Sequence, residues 1–577
     1  MADKIFRVNM SDLTSSIEEV PADWQGLGGR GLTSTIVAKE VPPTCHPLGK
    51  HNKLVFAPGL LSGTPAASSG RLSAGCKSPL TGTIKESNAG GTAAQILARM
   101  GVKALIIEGQ PNGDEFYGLR ITKSAVTIEK ESDLVGKGNF TVVEALMAKY
   151  GHGVGILTIG QAGERRMSAA NISVRDPEGK LRSLGRGGLG ALMGSKKIKY
   201  VAIDPEGDLP KIALADVDKF RAANKVFGKA LVDHPVSGEA LPTFGTAGLI
   251  NVINGVGGLP TRNFRYGQFD AHDKISGETI KETIEARGGK SKHGCHPGCL
   301  IQCSQVYNDK DGNYLTSGFE YESIWAMGAN CCIDDLDQLA QADHIMDDIG
   351  IDTIETAVTV AVAMEAGVIP FGDGEGMLSL LGEIRDGTPL GHIIGNGAAV
   401  TGRTFGITRV PVVKNQGIPA YDPRSIKGIG ITYCTSTMGA DHTSGYTIAT
   451  NVLKVGGFVD PLKKEGQVEL SRNLQIATAA IDSTGLCLFI AFPVLDIPEA
   501  LTAVVDMINA CFGIKLTADD VTALGKKILK TERAFNVAAG FTNQDDRLPE
   551  FFREETVPPH NAIWDFTDEE IDAFWDF

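Results

Sequence analysis

Short apolar runs separated by turn residues fill the first part of the chain. Two of them, at positions 53–57 and 104–108, are bounded on both sides by glycine, proline or polar residues. Runs of this length with this punctuation are typical of β-strands. The pattern predicts a β-rich domain over residues 1–205.

A helical spacing of apolar positions replaces this pattern in the rest of the chain. Residues 339–349 place Leu, Ala, Ile and Met three or four positions apart, and residues 353–365 continue as strong helix formers. Apolar side chains repeat in the same way towards the C-terminus. We therefore predict an α+β protein in which two mainly helical domains, residues 206–408 and 409–577, follow the β-rich domain.

Composition and charge narrow the classes of function. The 577-residue chain has a formal net charge of −14 and no basic tract, whereas nucleic-acid binding needs concentrated positive charge. No run of about 18 apolar residues occurs, and the start lacks the apolar segment of a signal peptide. We expect a cytoplasmic protein with no membrane span and no nucleic-acid partner.

Three loops are unusually dense in glycine, at residues 28–31, 88–91 and 185–190. Glycine lets backbone N–H groups come close to a phosphate or a flat ligand. Glycine also serves ordinary tight turns. The sequence leaves both interpretations open for each loop.

The segment KHGCHPGCLIQC, which ends at Cys303, is the densest group of metal ligands. It contains Cys295, Cys299 and Cys303 together with His293 and His296. Structural zinc sites use paired C-x2-C motifs, while a [4Fe–4S] cluster commonly takes three thiolates from one loop and one from elsewhere. The spacing favours an iron–sulfur cluster over zinc, and it leaves the fourth ligand to be found.

A short pattern, D-x-x-G-[I/L]-[D/C], occurs twice, at residues 347–352 and 482–487. Each copy follows a helical run and places glycine where a helix C-terminus favours positive φ. A carboxylate there can accept two parallel hydrogen bonds from a guanidine-like edge such as that of a pterin, although an aspartate beside a glycine cap is also common. The second copy ends in Cys487, which is a candidate for the missing fourth thiolate.

These motifs occur together, and in this order, in a known family. The sequence resembles the tungsten-containing aldehyde:ferredoxin oxidoreductases over nearly its whole length. The residues that carry the resemblance are GLGGRGL (26–32), KLVFAPGLLSGTPAASSGR (53–71), KSPLTG (77–82), SNAGG (87–91), IGQAGE (159–164), GRGGLGALMGSK (185–196), EYESIWAMGAN (320–330), PAYDPR (419–424) and DSTGLCLF (482–489).

The resemblance implies a cofactor with two pterins that lie on the β-rich domain and hold tungsten, or molybdenum, through their sulfur atoms. A Mg²⁺ ion would join the two pterin phosphates, near the side chain of Asn88 and the backbone carbonyl of Ser183. Arg71 and Arg182 match the family's phosphate-binding arginines. The pterin-edge contacts fall on Asp347, Ile351, Asp352, Asp482, Leu486 and Cys487.

The resemblance also assigns the cluster ligands. Cys299, Cys303 and Cys487 match directly, but the family's C-x2-C-x3-C spacing would place the first ligand at His296. A one-residue insertion in the loop makes Cys295 the preferred candidate. A second departure lies in residues 341–344, where Gln-Ala-Asp-His replaces the Glu-x-x-His pair that holds an interfacial metal in some members; dimerisation by packing stays open.

The activity implied is oxidation of an aldehyde to a carboxylic acid, with Glu322 and His442 in the family's acid–base positions. Electrons would pass through one [4Fe–4S] cluster to ferredoxin or to an iron–sulfur subunit. One alternative is a catalytic subunit for acid or aryl thioester reduction. Another is a non-catalytic scaffold that binds zinc or an iron–sulfur cluster.

Overall fold

Two six-stranded sheets form the N-terminal part of the protein. The computed structural model describes residues 3–577. The strands are β1 (Lys4–Asn9), β2 (Thr14–Glu19), β3 (Leu54–Pro58), β4 (Leu72–Lys77), β5 (Ile84–Ala89), β6 (Val102–Glu108), β7 (Phe116–Ile121), β8 (Val126–Glu131), β9 (Gly155–Thr158), β10 (Ile172–Arg175), β11 (Leu181–Leu184) and β12 (Ile198–Ile203).

The two sheets have the same topology. The first has the strand order β2-β1-β6-β3-β4-β5, and the second has the order β8-β7-β12-β9-β10-β11. In each sheet one pair is parallel, β1 with β6 and β7 with β12, and the other pairs are antiparallel. The N-terminal part is therefore built from two copies of one folding unit.

The helices of this part repeat as well. A helix follows the second strand of each unit, and another lies between its fifth and sixth strands. These helices, with one short addition in the second unit, are α1 (Gly29–Glu40), α2 (Ala93–Arg99), α3 (Asn139–Tyr150), α4 (Gln161–Glu164) and α5 (Leu189–Ser195). Strands β5 and β11, the corresponding edge strands, contact each other, and apolar side chains of both units share one hydrophobic core.

The rest of the chain is mainly helical. Its helices are α6 (Val217–Asp233), α7 (Leu241–Phe244), α8 (Leu249–Gly255), α9 (Gly277–Ala286), α10 (Tyr321–Met327), α11 (Leu336–Ile349), α12 (Thr353–Glu365), α13 (Gly374–Asp386), α14 (Pro389–Gly395), α15 (Ala398–Phe405), α16 (Lys427–Thr435), α17 (Ile448–Asn451), α18 (Gln467–Thr484), α19 (Ala491–Asp496), α20 (Pro498–Phe512), α21 (Ala518–Ala538), α22 (Phe551–Glu554) and α23 (Asp568–Asp572). The predicted α+β architecture is confirmed.

Two small sheets interrupt the helices. Strands β13 (Lys290–His293), β14 (Ser304–Asn308) and β15 (Tyr314–Ser317) form one, and β16 (Val412–Val413) pairs with β17 (Gln416–Gly417) in the other. The cysteine-rich loop runs between β13 and β14. A bridge between His293 and Cys303 closes the loop at its base.

One hydrophobic core extends through both predicted helical domains. It includes Trp325 and Ile349 from the first and Ile429, Trp564 and Phe574 from the second. The division at residues 408 and 409 therefore stays a prediction. Within residues 3–577, no helix is long and apolar enough to cross a membrane.

Candidate active site

A cavity of about 660 Å³ lies where the two sheet units meet the helical part. The sequence-predicted residues that line it are Arg71, Asn88, Arg182, Ser183, Cys295, Cys303, Glu322, Asp347, Asp352, His442 and Asp482. Four predicted residues lie behind this wall as buried side chains, namely Cys299, Ile351, Leu486 and Cys487. The fold thus brings residues up to 411 positions apart in the sequence (482 minus 71) to the wall of one cavity.

The cysteine-rich loop and Cys487 come together beside Arg71. The Nη2 atom of Arg71 lies 3.5 Å from the Cys487 sulfur. Burial lowers the pKa of Arg71, but the neighbouring sulfur groups of Cys487, Cys295 and Cys303 outweigh burial and hold that pKa above its usual range. The ligand atoms of Cys295, His296 and Cys299 lie within 4.8 Å of one another. The cysteine-rich loop and Cys487 thus lie close together around Arg71.

Ser68 links the two chain segments that supply these thiols, and it was missed by the sequence reasoning. Its carbonyl accepts a hydrogen bond from the Cys487 amide at 2.9 Å, and its amide donates to the Gly298 carbonyl at 2.9 Å. Its hydroxyl accepts from the Leu300 amide at 3.3 Å. It lies within the conspicuous segment 53–71, but a lone serine there carries no metal-site pattern.

Cys295 and His296 both pack against glycines of the first sheet unit. A Cβ at Gly90 would lie 2.6 Å from the Cys295 sulfur, and one at Gly70 would lie 2.4 Å from the His296 ring. The Nδ1 atom of His296 lies 3.0 Å from the Pro297 carbonyl oxygen. Both side chains are held close to the other thiols, so the choice between them as first ligand stays a prediction.

The first D-x-x-G motif docks on the second sheet unit through its backbone. The Asp352 amide donates to the Ala169 carbonyl at 2.9 Å, and the Asn171 amide donates to the Gly350 carbonyl at 3.0 Å. Gly350 has φ of 73°, as expected for a helix C-cap. A Cβ at Gly160 would lie 2.3 Å from the carbonyl carbon of Ile349, so glycine is required there.

The second motif docks on the first sheet unit in the same manner. The Leu61 amide donates to the Thr484 carbonyl at 2.8 Å, and the Arg71 amide donates to the Gly485 carbonyl at 3.0 Å. Gly485 has φ of 82°. A Cβ at Gly59 would lie 2.0 Å from the Gly485 nitrogen. Each copy of the motif thus closes against one copy of the duplicated unit.

A buried arginine pairs with each motif. Arg186 donates to Asp352 at 3.0 Å and to Glu355 at 3.2 Å. Arg30 binds Glu532 through two hydrogen bonds, at 2.9 and 2.8 Å, and lies 3.3 Å from Asp482. The sequence reasoning missed both arginines.

The signal for the two arginines was present in the sequence, because each lies inside a glycine-dense loop.

The carboxylates of the first motif differ in which oxygen atoms remain free to bind a ligand. Asp352 caps α12 through Oδ1 and accepts from Arg186 through Oδ2. The carboxylate of Asp347 accepts no side-chain or backbone hydrogen bond from residues 3–577, and burial raises its pKa well above the usual range.

Glu322 and His442 face each other across the cavity wall. The Nε2 atom of His442 lies 3.3 Å from Oε1 of Glu322, and Oε2 of Glu322 accepts from the Ala420 amide at 3.0 Å. Burial raises the pKa of Glu322 to about 8 and lowers that of His442 to about 4. Both groups are therefore uncharged at neutral pH.

An ion pair supports this arrangement from behind. Lys85 lies 3.2 Å from Asp441, and Asp441 lies 4.0 Å from Nδ1 of His442. Burial by itself raises the pKa of Asp441. Lys85 and His442 lower this pKa by more than burial raises it, so the pKa of the carboxyl lies below its usual range. Nothing in the sequence pattern singled out Lys85.

The polar side of the cavity fits an anionic ligand rich in hydrogen-bond acceptors. Nε of Arg71 and Nε of Arg182 are buried and have no hydrogen-bond partner within residues 3–577. Buried polar groups are normally paired. Guanidinium forks suit phosphate oxygens, so this donor set fits the pterin phosphates that the sequence predicts.

The residues that replace the family's interfacial Glu-x-x-His pair make contacts inside the chain. His344 lies 2.7 Å from the Leu315 carbonyl oxygen and stacks on Phe140 with ring centroids 4.6 Å apart. Asp343 is buried and accepts from Thr316 at 2.5 Å. Within the described part of the chain, the one group of three or more clustered metal-ligating side chains is Cys295, His296 and Cys299.

Comparison with known families decides the assignment. The model of the aldehyde ferredoxin oxidoreductase N-terminal domain matches residues 5–205, and the model of domains 2 and 3 of the same family matches residues 222–576. The chain belongs to the aldehyde ferredoxin oxidoreductase family. The predicted resemblance is confirmed, and so is the prediction of an oxidoreductase enzyme.

Individual relatives match almost the whole chain. A tungsten-containing aldehyde ferredoxin oxidoreductase from Pyrococcus furiosus is 34% identical, covering 96% of this chain and 92% of the relative. The WOR-like subunit of an aliphatic sulfonate oxidoreductase from the same organism is 24% identical, covering 91% and 85%.

A solved structure shares the fold. The active-site complex BamBC of benzoyl coenzyme A reductase, determined with 1,5-dienoyl-CoA, superposes with a TM-score of 0.81 at 18% identity, covering 99% of this chain and 93% of that chain. At this level of identity the likeness concerns the architecture alone. The fold therefore occurs in proteins with more than one substrate chemistry.

Proposed function

We propose that this protein oxidises aldehydes to carboxylic acids and passes the electrons to ferredoxin or to an iron–sulfur partner. The overall reaction, R-CHO + H2O → R-COOH + 2 H⁺ + 2 e⁻, needs an electron acceptor, a proton acceptor and a path for electrons. The observation that carries the proposal is the Glu322–His442 pair, which lines the same cavity as the converging cysteines.

The cofactor would occupy the polar side of the cavity. Arg71 and Arg182 would bind the pterin phosphates, and Asn88 with the Ser183 carbonyl would hold the Mg²⁺ ion between them. The motif residues Asp347, Ile351, Asp352, Asp482, Leu486 and Cys487 would contact the pterin edges. When bound, a tungsten bis-pterin supplies a Lewis acid and a two-electron acceptor.

The protein's own contribution is proton handling and orientation. Above its pKa of about 8, Glu322 is a carboxylate that can accept the proton released when water adds to the carbonyl carbon. The His442 imidazole, 3.3 Å away, orients that carboxylate. The buried site keeps bulk water from competing with these groups.

The cysteines would provide the path for electrons. We propose Cys295, Cys299, Cys303 and Cys487 as the four ligands of one [4Fe–4S] cluster. Arg71, which lies 3.5 Å from the Cys487 sulfur, connects the cluster position with the phosphate-binding side of the cavity. Ferredoxin is the natural acceptor for a single low-potential cluster of this kind.

An aldehyde panel assayed with a viologen dye tests the proposal, together with elemental analysis of the purified protein. We expect about one tungsten and four irons per chain and clear turnover of aldehydes. Metal content without turnover of any aldehyde would favour the alternative, reduction of an acid or an aryl thioester. Zinc alone would reject both in favour of a binding scaffold.

A further inference from the structure

Glu86 is a carboxyl group of the cavity wall that the proposed chemistry does not use. It lies on β5, lines the cavity and is only 5% exposed. Its Oε1 atom is buried and has no hydrogen-bond partner within residues 3–577. Buried polar atoms are normally paired, because leaving one unpaired costs free energy. Glu86 therefore presents an unpaired hydrogen-bonding atom at the cavity wall.

The second D-x-x-G motif lies beside Glu86. Arg30 lies 3.3 Å from Asp482, and the Asn88 side chain donates to Asp482 at 3.3 Å. Burial, and after it the charge of Asp482, raise the pKa of Glu86 to about 8, and Arg30 offsets only part of this rise. The chain thus buries this carboxyl next to a predicted pterin contact without compensating for its burial.

The duplicated sheet unit supplies an internal comparison. Arg71 and Asn171 occupy equivalent positions, since each amide donates to the carbonyl of the glycine in the D-x-x-G motif that docks on its unit. Four positions further along β4 and β10, the residues paired across the ladder are Glu86 in the first unit and Leu181 in the second. Leu181 also lines the cavity. One unit has a carboxyl where the other has an aliphatic side chain, so the fold of the unit does not require the carboxyl.

We propose that Glu86 is a further cofactor-binding residue, and that its free Oε1 forms a hydrogen bond with the ring edge of the pterin at the second motif. The inference rests on the proposed bis-pterin cofactor and adds a contact to one of its two halves. A pterin edge carries both N–H groups and acceptor atoms, so it can pair with an oxygen of this side chain. The pterin at the first motif has Leu181 at the equivalent position and lacks this contact.

The rate at which the purified holoenzyme releases pterin in dilute guanidinium chloride tests this contact. Released pterin is oxidised with iodine and counted by its fluorescence. Glu86→Met keeps the length of the side chain without its oxygen atoms, and it should release pterin about fivefold faster, which is the equivalent of one hydrogen bond. Glu86→Gln keeps a hydrogen-bonding group at the same place and should stay within about twofold of wild type.

Two further variants and one further measurement complete the test. Glu86→Leu introduces the side chain that the second unit has at this position, and it should behave like Glu86→Met. Glu19→Leu changes an exposed residue of β2 in the same sheet unit and should release pterin at the wild-type rate. Circular dichroism of the same solutions follows unfolding. A purely structural role of Glu86 would speed unfolding and release equally, whereas loss of a cofactor contact speeds release alone.

The outcomes separate this inference from the proposed function. Equal release rates in wild type, Glu86→Met and Glu86→Leu would overturn the role of Glu86, while aldehyde oxidation would stand. A wild-type protein that binds pterin but oxidises no aldehyde would reject the proposed function, and the release rates would still decide the role of Glu86. A wild-type protein purified without pterin would overturn both.

Discussion

The Nε2 atom of His442 lies 3.3 Å from Oε1 of Glu322, although 119 sequence positions separate the two residues (442 minus 322 minus 1). Glu322 comes from the first turn of α10, while His442 comes from the segment after α16. Their meeting requires the two predicted helical domains to pack together. The pair is therefore a product of tertiary structure, and its chemistry can be tested directly.

Removing either acid–base group should abolish most of the turnover. We expect Glu322→Gln and His442→Gln each to lower kcat for aldehyde oxidation by about 100-fold or more, which is the usual contribution of a positioned acid or base. Tungsten and iron contents should stay the same. Glu282→Gln, at an exposed position of α9, is the control. Loss of less than threefold in both variants would rule out the assigned role.

The pH dependence of the rate follows from the raised pKa of Glu322. Because burial raises this pKa to about 8, the carboxyl is protonated at neutral pH and becomes a proton acceptor only as the pH rises through 8. Plots of kcat/KM against pH should climb to a plateau above that value. Glu322→Gln should lack this limb. A wild-type profile that is flat from pH 6 to 9 would contradict the proposal.

The fourth cluster ligand can be tested by iron analysis. Cys487→Ala should lose most of the iron and the dye-linked activity together while the chain stays folded, because a cubane cluster needs four ligands. Cys511→Ala, which changes a buried cysteine of the same hydrophobic cluster, should keep its iron. Full iron occupancy in Cys487→Ala would show that another residue completes the site.

The first ligand can be tested by comparing two neighbours in the loop. We expect Cys295→Ala to lose the cluster and His296→Ala to keep it. Visible absorption and electron paramagnetic resonance of the reduced protein report the outcome. The opposite result would assign the ligand to His296, and nitrogen ligation would then raise the cluster potential, as it does in Rieske centres.

The docking of the second motif should depend on a single glycine. Gly59→Ala places a Cβ 2.0 Å from the Gly485 nitrogen, and backbone there cannot move without shifting the whole motif. We expect a loss of about 2 kcal/mol or more in the free energy of unfolding, together with loss of the cofactor. Gly26→Ala meets no atom within 4 Å and should behave like wild type. Equal unfolding midpoints would refute the close contact.

Local patterns in the sequence were sufficient to predict much of the fold. Helix α12 spans Thr353–Glu365, as predicted from its local composition, in which apolar residues predominate. The C-terminal helix α18 was likewise predicted from periodicity. Such features depend on neighbouring residues, and this is the information that a single sequence contains.

Features that depend on distant partners could not be predicted. Arg30 has its main partner, Glu532, 502 positions away, and no spacing rule connects them. Lys85 and Asp441 are 356 positions apart. The repetition of the sheet unit could not be predicted either, because two segments can share a strand topology while few of their residues are the same. The candidate site could be proposed only because the family resemblance placed its residues together.

The duplicated sheet units have a consequence for the direction of electron flow. If the two sheet units held the cofactor in the same way, the cofactor site would be symmetrical, with no difference between its two sides. The two motifs differ in their last residue, which is Asp352 in the first and Cys487 in the second. If each sheet unit holds a pterin, only the second motif offers a sulfur atom as a link between its pterin and the cluster. Electrons would then leave the cofactor through one of its two sides alone.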